Sequence, residues 1–287
     1  MASRIARTIV HYSARDPRQA TGGVEAFARG LALCFEDVVF MTPETRDEAR
    51  VRRDELLVVC DNHHVLHWEP DIPVIGFQHG VAAIKALATR SLTDVGLALR
   101  QRRAARRPRT LWVACARWIA EAFQRLHGNG ASHVVYHPID LSRFDARLEN
   151  AASRLVLHDA RAPHKGSRLF PRLARAFPRL RFEALACRSE EVPDRLRVAR
   201  AFVHLSRYEG NSLVCNEAMA MNLPCLFTRV GLFRDRGQDF DARIVTSRDV
   251  FGGSRRLLET VGSFLESLDE TVYRPRGFCE RHASAEP

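Results

Sequence analysis

The chain has 287 residues, 46% of them apolar, with 44 Lys+Arg against 34 Asp+Glu and a formal net charge of +10. That balance excludes a disordered chain, a collagen-like repeat and a small disulfide scaffold, and it suits one large domain or two of ordinary size. A charge of this sign fits nucleic acid, an anionic membrane surface, a phosphorylated small molecule, or no partner beyond solvent.

Only two of the basic residues are lysines, Lys85 and Lys165. No apolar run approaches the roughly 20 residues that cross a bilayer. The start, Met1-Ala-Ser-Arg-Ile-Ala-Arg7, runs straight into a strand-like stretch with no leader pattern, so a cytoplasmic protein is expected. The seven cysteines form no C-x-x-C pair and read as reduced, mostly buried thiols.

Short apolar runs begin at Thr8, Val38, Leu56, Val74, Leu111 and Val134. Continuous runs of this kind suit parallel strands buried on both faces. Helical spacing separates them, as in Val24, Phe27, Leu31 and Phe35. A second series has runs at 154–158, 180–185, 201–205, 224–227 and 243–245, with helical stretches near 167–177, 211–222 and 254–268. This alternation predicts two doubly wound α/β domains, 1–145 and 146–270. The remaining 271–287 is expected to form a C-terminal helix that either stays with the second domain or crosses back to the first. Ligands of such sheets bind beyond the carboxyl ends of the strands, so the strand-to-helix turns are where chemistry is expected.

The first such turn carries Gly22-Gly23 at a helix start, where a bare backbone and a helix N-terminus favour an anion. It is neither a G-x-G-x-x-G fingerprint nor a Walker A loop, and a plain tight turn reads equally well. His79 closes the strand run Val74-Ile-Gly-Phe, although a lone histidine there is more often structural. His63, His64 and His67 lie close together but lack the usual spacing of metal ligands. No metal site is expected there.

In the second half, His158-Asp-Ala-Arg161-Ala-Pro-His164-Lys165-Gly166 follows a strand and opens a helix. Arg161 and Lys165 beside a helix N-terminus suit a diphosphate. Next comes Ser206-Arg-Tyr208-Glu209-Gly210-Asn211-Ser212-Leu213, with Glu217 inside the following helix. The two glutamates stand on the order of 10 Å apart at helical rise. The free amides of 211–213 lie between them. A diphosphate there would set a sugar beside one carboxylate and a ribose beside the other, each carboxylate accepting hydrogen bonds from hydroxyls. An acidic N-cap region plus an exposed helix glutamate is the plainer reading.

Ser206-x-Tyr208-Glu209-Gly210-x5-Asn216-Glu217-Ala218-Met219-Ala220-x2-Leu223-Pro224 resembles the E-x7-E motif of the GT4 family of retaining glycosyltransferases. Gly22-Gly23-Val24-Glu25, His79, Ala114-x-Ala116-Arg117, Pro138-Ile-Asp140-x3-Phe144 and His164-Lys165-Gly166 follow the family's order over most of 8–230. The resemblance implies a GT-B fold of two Rossmann-like domains. It also implies transfer, with retention and without a metal, of a hexose from a UDP- or GDP-sugar to a hydroxyl acceptor. No further cofactor is implied. Glu209 would contact the donor sugar, Glu217 the ribose, and His79 the reacting centre. Lys165 and an arginine, Arg161 being nearest, would neutralise the diphosphate. The amides of Gly22, Gly23, Gly210, Asn211, Ser212 and Leu213 would complete its cradle. Two positions depart from the pattern: Asp159 stands where the family usually has the arginine, and His137-Pro138 replaces Asn-Gly. Asp239-Phe240-Asp241 spells a D-x-D, which at three residues is read as chance.

Residues 81–107 read as a long helical region with an irregular stripe, Ile84, Leu87, Leu92, Val95 and Leu99, and six arginines between Arg100 and Arg109. Either the stripe packs on the core, or the segment rests peripherally on an anionic membrane. The acceptor is accordingly expected to be a cell-envelope glycan or lipid-linked molecule. DNA bases are the alternative acceptor. A non-catalytic nucleic-acid-binding protein is the reading from another class, and it leaves the paired glutamates and Lys165 unexplained.

Overall fold

A computed structural model describes residues 8–19, 22–54, 56–145, 153–160, 162–235 and 237–283. The chain divides between Pro138 and Ile139 into two compact units, each built on one parallel sheet.

The first unit holds β1 (Ile9–Tyr12), β2 (Val38–Met41), β3 (Leu57–Asp61), β4 (Val74–Gln78), β5 (Thr110–Ala114) and β6 (His133–Val134), in the order β2-β1-β3-β4-β5-β6. Every pairing is parallel. The central strands are the apolar runs of the sequence, and their residues Val10, Val58, Cys60, Val74 and Trp112 form the core with Phe123 of helix Arg117–His127. Gly76 of β4 pairs with Trp112 of β5, and a Cβ on Gly76 would stand 2.3 Å from the indole ring. The glycine therefore makes room for the largest side chain of the sheet.

The second unit holds β7 (Leu155–His158), β8 (Arg181–Ala184), β9 (Ala201–His204), β10 (Cys225–Thr228) and β11 (Arg243–Val245), in the order β11-β10-β9-β7-β8. All four residues of β7, β9 and β10 are buried, whereas β8 and β11 lie at the edges and are part-exposed. In both sheets consecutive strands change direction of addition once, between β1 and β3 and between β7 and β9. Those switch points are where a doubly wound sheet leaves a crevice for a ligand.

Two sequence expectations are corrected. The segment 139–145, expected in the first domain, belongs to the second unit, where Arg276 Nη1 donates to Phe144 O, Arg276 Nη2 to Leu141 O, and Ile139 N to Ala283 O. Helix Arg276–His282 packs on helix Leu213–Ala220 within the second unit. Residues 81–107 form two helices, Ala82–Thr89 and Leu92–Ala104, and Arg90 at φ 56° turns the chain between them. Ser91 caps the second helix by accepting from Asp94 N at 3.3 Å. Residues 146–150, at the expected start of the second domain, lie outside the described residues. Among the described residues no helix is long and apolar enough to cross a membrane.

Candidate active site

The switch point of the second sheet gathers most of the predicted residues. Asp159 directly follows β7, His204 ends β9, and Glu209 lies in the loop after β9. Lys165 ends the short turn Pro163–Lys165. Gly166 then adopts φ 79°, and a Cβ there would stand 2.4 Å from Leu205 O. Glycine thus lets the lysine turn lie directly against the exit of β9, where Arg207 N donates to His164 O at 2.8 Å. Gly231, at φ 58°, packs equally closely from the other side: its Cβ would stand 2.8 Å from Glu209 Cβ. Two glycines therefore seat the loop that carries Glu209.

The charged groups form a row. Lys165 Nζ lies 2.6 Å from Asp159 Oδ2 and 3.5 Å from Glu209 Oε1. His204 Nε2 donates to the same Glu209 oxygen at 3.1 Å. Burial alone would favour a neutral Glu209, but His204 and Lys165 outweigh it and hold the carboxyl at about 2. Burial likewise opposes the Lys165 ammonium, yet Glu209 and Asp159 together raise its pKa. Glu217 lacks such support. Burial pushes it up to about 7, Arg143 pulls it back and Asp159 pushes it further.

Helix Leu213–Ala220 starts at Ser212 without a side-chain cap. Gly210, Ser212 and Leu213 lie at this N-terminus. The side chain of Asn211 turns inward, where its Oδ1 accepts from Asn216 Nδ2 at 2.9 Å. The backbone amides of an uncapped helix start, beside one ammonium, can hold an anion, and the flanking carboxylates can accept from hydroxyls. Arg161 lies outside the described residues.

In the first unit, Gly22 and Gly23 begin helix Gly23–Cys34 as expected. The Glu25 carboxylate folds back over Gly22, so that a Cβ there would stand 2.3 Å from Glu25 Oε2, and Arg15 Nη2 pairs with Glu25 Oε1 at 2.9 Å. An anion at this turn would face that carboxylate. His79 follows β4, with its amide donating to Asn62 Oδ1 at 3.0 Å. Its Nε2 donates to Asp61 Oδ1 at 2.7 Å, and its Nδ1 meets His137 Nε2 at 3.1 Å. His11 Nε2 donates to the same Asp61 oxygen at 3.2 Å. Burial opposes ionisation of Asp61, but His11 and His79 overcome it and hold its pKa below the usual carboxylate range.

Other sequence features resolve as follows. His67 Nδ1 bonds Tyr12 Oη at 2.7 Å, and His63 stacks on His64 with ring centres 4.4 Å apart. Asp239 Oδ1 accepts from Asp241 N and Asp241 Oδ2 from Arg274 N, so the D-x-D shapes backbone turns. Leu87, Leu92 and Leu99 are 81%, 89% and 64% exposed, so they do not pack on the core. Arg100, Arg102, Arg103, Arg106 and Arg109 are exposed beside them. Arg107 is buried instead and donates to the carbonyls of Glu69 and Ile72.

Sequence reasoning missed Asp159 and His204 as partners of Lys165 and Glu209, Arg143 beside Glu217, and Asp61 and His137 around His79. The available signal was position: each of Asp61, Asp159 and His204 ends a strand run or directly follows one.

Comparison with solved structures defines the class of fold. The chain is similar to Alr3699/HepE of Anabaena in complex with UDP and glucose, at 15% identity over 97% of this chain and 96% of that one, TM-score 0.72. It is equally similar to the sucrose-phosphate synthase tll1590 of Thermosynechococcus elongatus, at 15% identity over 98% and 96%, TM-score 0.72. AviGT4, a glycosyltransferase involved in avilamycin A biosynthesis, aligns at 14% identity over 97% and 94%, TM-score 0.59. The fold is the GT-B fold of these glycosyltransferases. In sequence, residues 163–258 match the family described as Glycosyl transferases group 1. No curated protein matches the chain. The family match spans Lys165, Glu209, Glu217 and the uncapped helix start.

Proposed function

We propose that the protein is a retaining glycosyltransferase of the GT4 type, moving a hexose from a UDP- or GDP-sugar to a hydroxyl acceptor. The observation that carries this reading is the meeting of Lys165 and Glu209, 3.5 Å apart, at the switch point of the second sheet and within the matched segment. UDP complexes of the similar Anabaena protein support a nucleotide-sugar donor.

In this reading the helix start at 212–213 and Lys165 hold the diphosphate. Their positive ends meet the charge that grows on the leaving oxygen as the anomeric bond breaks, which lowers the barrier more than it stabilises the bound donor. Arg161 adds a second cation. Glu217 accepts from the ribose hydroxyls and Glu209 from the sugar. His79 is assigned to the reacting centre, and the Gly22-Gly23 amides to the diphosphate. The acceptor hydroxyl attacks on the face the diphosphate leaves, and its proton passes to the departing phosphate oxygen. The configuration is thereby retained without a covalent intermediate on Glu209. The cations of the chain supply the charge that a metal supplies elsewhere.

The exposed leucines and arginines of 87–106 favour an acceptor at an anionic lipid surface, which makes the protein peripheral to the cytoplasmic face of a membrane. DNA as acceptor is the alternative, and it gains if duplex DNA, and not anionic vesicles, binds with a steep salt dependence. Nucleoside diphosphates test the donor reading. At 100 times its Kd, UDP or GDP is expected to stabilise the fold by about 2.7 kcal/mol. No shift with either, or turnover by Glu209→Ala or Lys165→Ala equal to wild type, would overturn it.

A further inference from the structure

We propose that His79, Cys115 and His137 form a Zn(II) site in the first unit, apart from the diphosphate chemistry of the second. His79 follows the last residue of β4, Cys115 follows the last residue of β5, and His137 lies just beyond β6. These three strands are neighbours in one parallel sheet, with Gln78 opposite Ala114 and Ala114 opposite Val134. Strand register therefore brings the three side chains to one place, before any choice of rotamer.

The donor set suits zinc. One ligand atom from each residue lies within 4.8 Å of the other two, and His79 Nδ1 is 3.1 Å from His137 Nε2. Bonds of about 2.0–2.1 Å to nitrogen and 2.3 Å to sulfur place the donor atoms of a tetrahedral site roughly 3.3–3.8 Å apart. The two nitrogens already stand near that spacing, and the sulfur lies within 4.8 Å of the ligand atoms of both rings. Two imidazoles and one thiolate are a borderline-soft set, matched to zinc over magnesium or calcium.

The surroundings point the same way. Asp61 accepts from His79 Nε2, so the lone pair of that ring is on Nδ1, aimed at His137. A carboxylate behind a histidine ligand is the usual outer partner of zinc, fixing the tautomer and raising the basicity of the donor nitrogen. Charge also balances. On loading, the Cys115 thiol gives its proton to solvent, and the thiolate and the Asp61 carboxylate then offset the two charges of the ion in a buried place. Cys115 and His137 are enclosed, and the His79 side chain is only 8% exposed, so all three donors lie out of bulk water. Zinc there would take the His79 nitrogen from any other task; that consequence rests on the role given to His79 above, whereas the site itself does not.

The test uses the full chain, stripped with a chelator and loaded with Zn(II) or Co(II). One equivalent is expected to bind, and the Co(II) form should show the strong visible bands of tetrahedral cobalt with a thiolate-to-cobalt band in the near ultraviolet. Cys115→Ser should lose the thiolate band, and His137→Gln should lose most of the affinity. Asp61→Asn should weaken binding about 10- to 100-fold. A variant with His63, His64 and His67 replaced by alanine should bind as wild type does. The wild-type cobalt spectrum reports on the site even where a variant folds poorly. No bound metal, a cobalt spectrum without the thiolate band, or undiminished binding by folded Cys115→Ser and His137→Gln would overturn the proposal.

Discussion

Lys165 is bracketed by two carboxylates, and that governs what Glu209 and Asp159 each contribute. The folded value of Glu209, about 2, lies below its ordinary 4.5. The stabilisation from its ionised form is therefore complete above about pH 5 and is lost as pH falls toward 2, on the order of 3 kcal/mol in all. Thermal melts between pH 6 and 3 are expected to show wild type losing stability more steeply than Glu209→Gln; equal slopes would show that the row of charges adds nothing to folding. Asp159 acts on the ligand. Its oxygen holds the Lys165 ammonium at 2.6 Å and sets a negative charge where a diphosphate would approach. Asp159→Asn is expected to tighten UDP binding about tenfold, near 1.4 kcal/mol, by calorimetry. Weaker binding would mean that Asp159 is needed to aim the lysine. Glu209 and Glu217 were legible in the sequence because they sit at fixed spacing around one helix start, and Lys165 because it stands at another strand-to-helix turn. The pairing of Lys165 with Glu209 was not, since the turn after β7 and the loop after β9 meet only when those strands become neighbours across a crossover, although Asp159 and His204 lie within six residues of their own partners.

Helix Leu92–Ala104 places its apolar residues outward, and the reason is the break before it. Arg90 reverses the chain, Ser91 caps the new helix, and Gln101 anchors its inner face by donating to Gln78 Oε1 at 2.6 Å and Gly80 O at 2.8 Å. The inner face of this helix is held by polar contacts, which leaves Leu92 and Leu99 in water. A double change, Leu92→Ser with Leu99→Ser, is expected to leave the melting temperature unchanged and to lower binding to anionic vesicles at least tenfold in a co-sedimentation assay. Unchanged sedimentation would remove this helix from the membrane reading. Ser91 and Asp94 spelled the cap in the sequence, but the helical reading of 81–107 as one region ran across it. The direction of the leucines was not legible, because a stripe this irregular has no clear inner face until its neighbours are known.

The strands were readable almost residue by residue, since a parallel sheet covered on both faces demands unbroken apolar runs. Their spatial order follows from crossovers, and composition says little about it. Charge is a property of the molecule as a whole. Nineteen basic against 14 acidic residues precede Ile139 and 25 against 20 follow from it, an excess of five on each side. No single basic unit accounts for the +10, which weakens a dedicated nucleic-acid surface as its cause. The boundary itself depends on Arg276, whose guanidinium takes the carbonyls of Leu141, Phe144 and Ala220. Arg276→Ala is expected to lower the stability of the second unit by about 2–4 kcal/mol in urea, because three carbonyls lose their donor at once. A loss under about 0.5 kcal/mol would mean that water replaces it without cost.

That arginine also gives the protein an order in time. A ribosome delivers every residue of the first sheet before it reaches Ile139, so that half can condense while translation continues. The second half must wait: its opening residue Ile139 bonds Ala283, and Arg276 reaches back to Leu141 and Phe144. Its strands can be made in sequence, but the unit that carries Lys165 and Glu209 closes only after synthesis has passed residue 283.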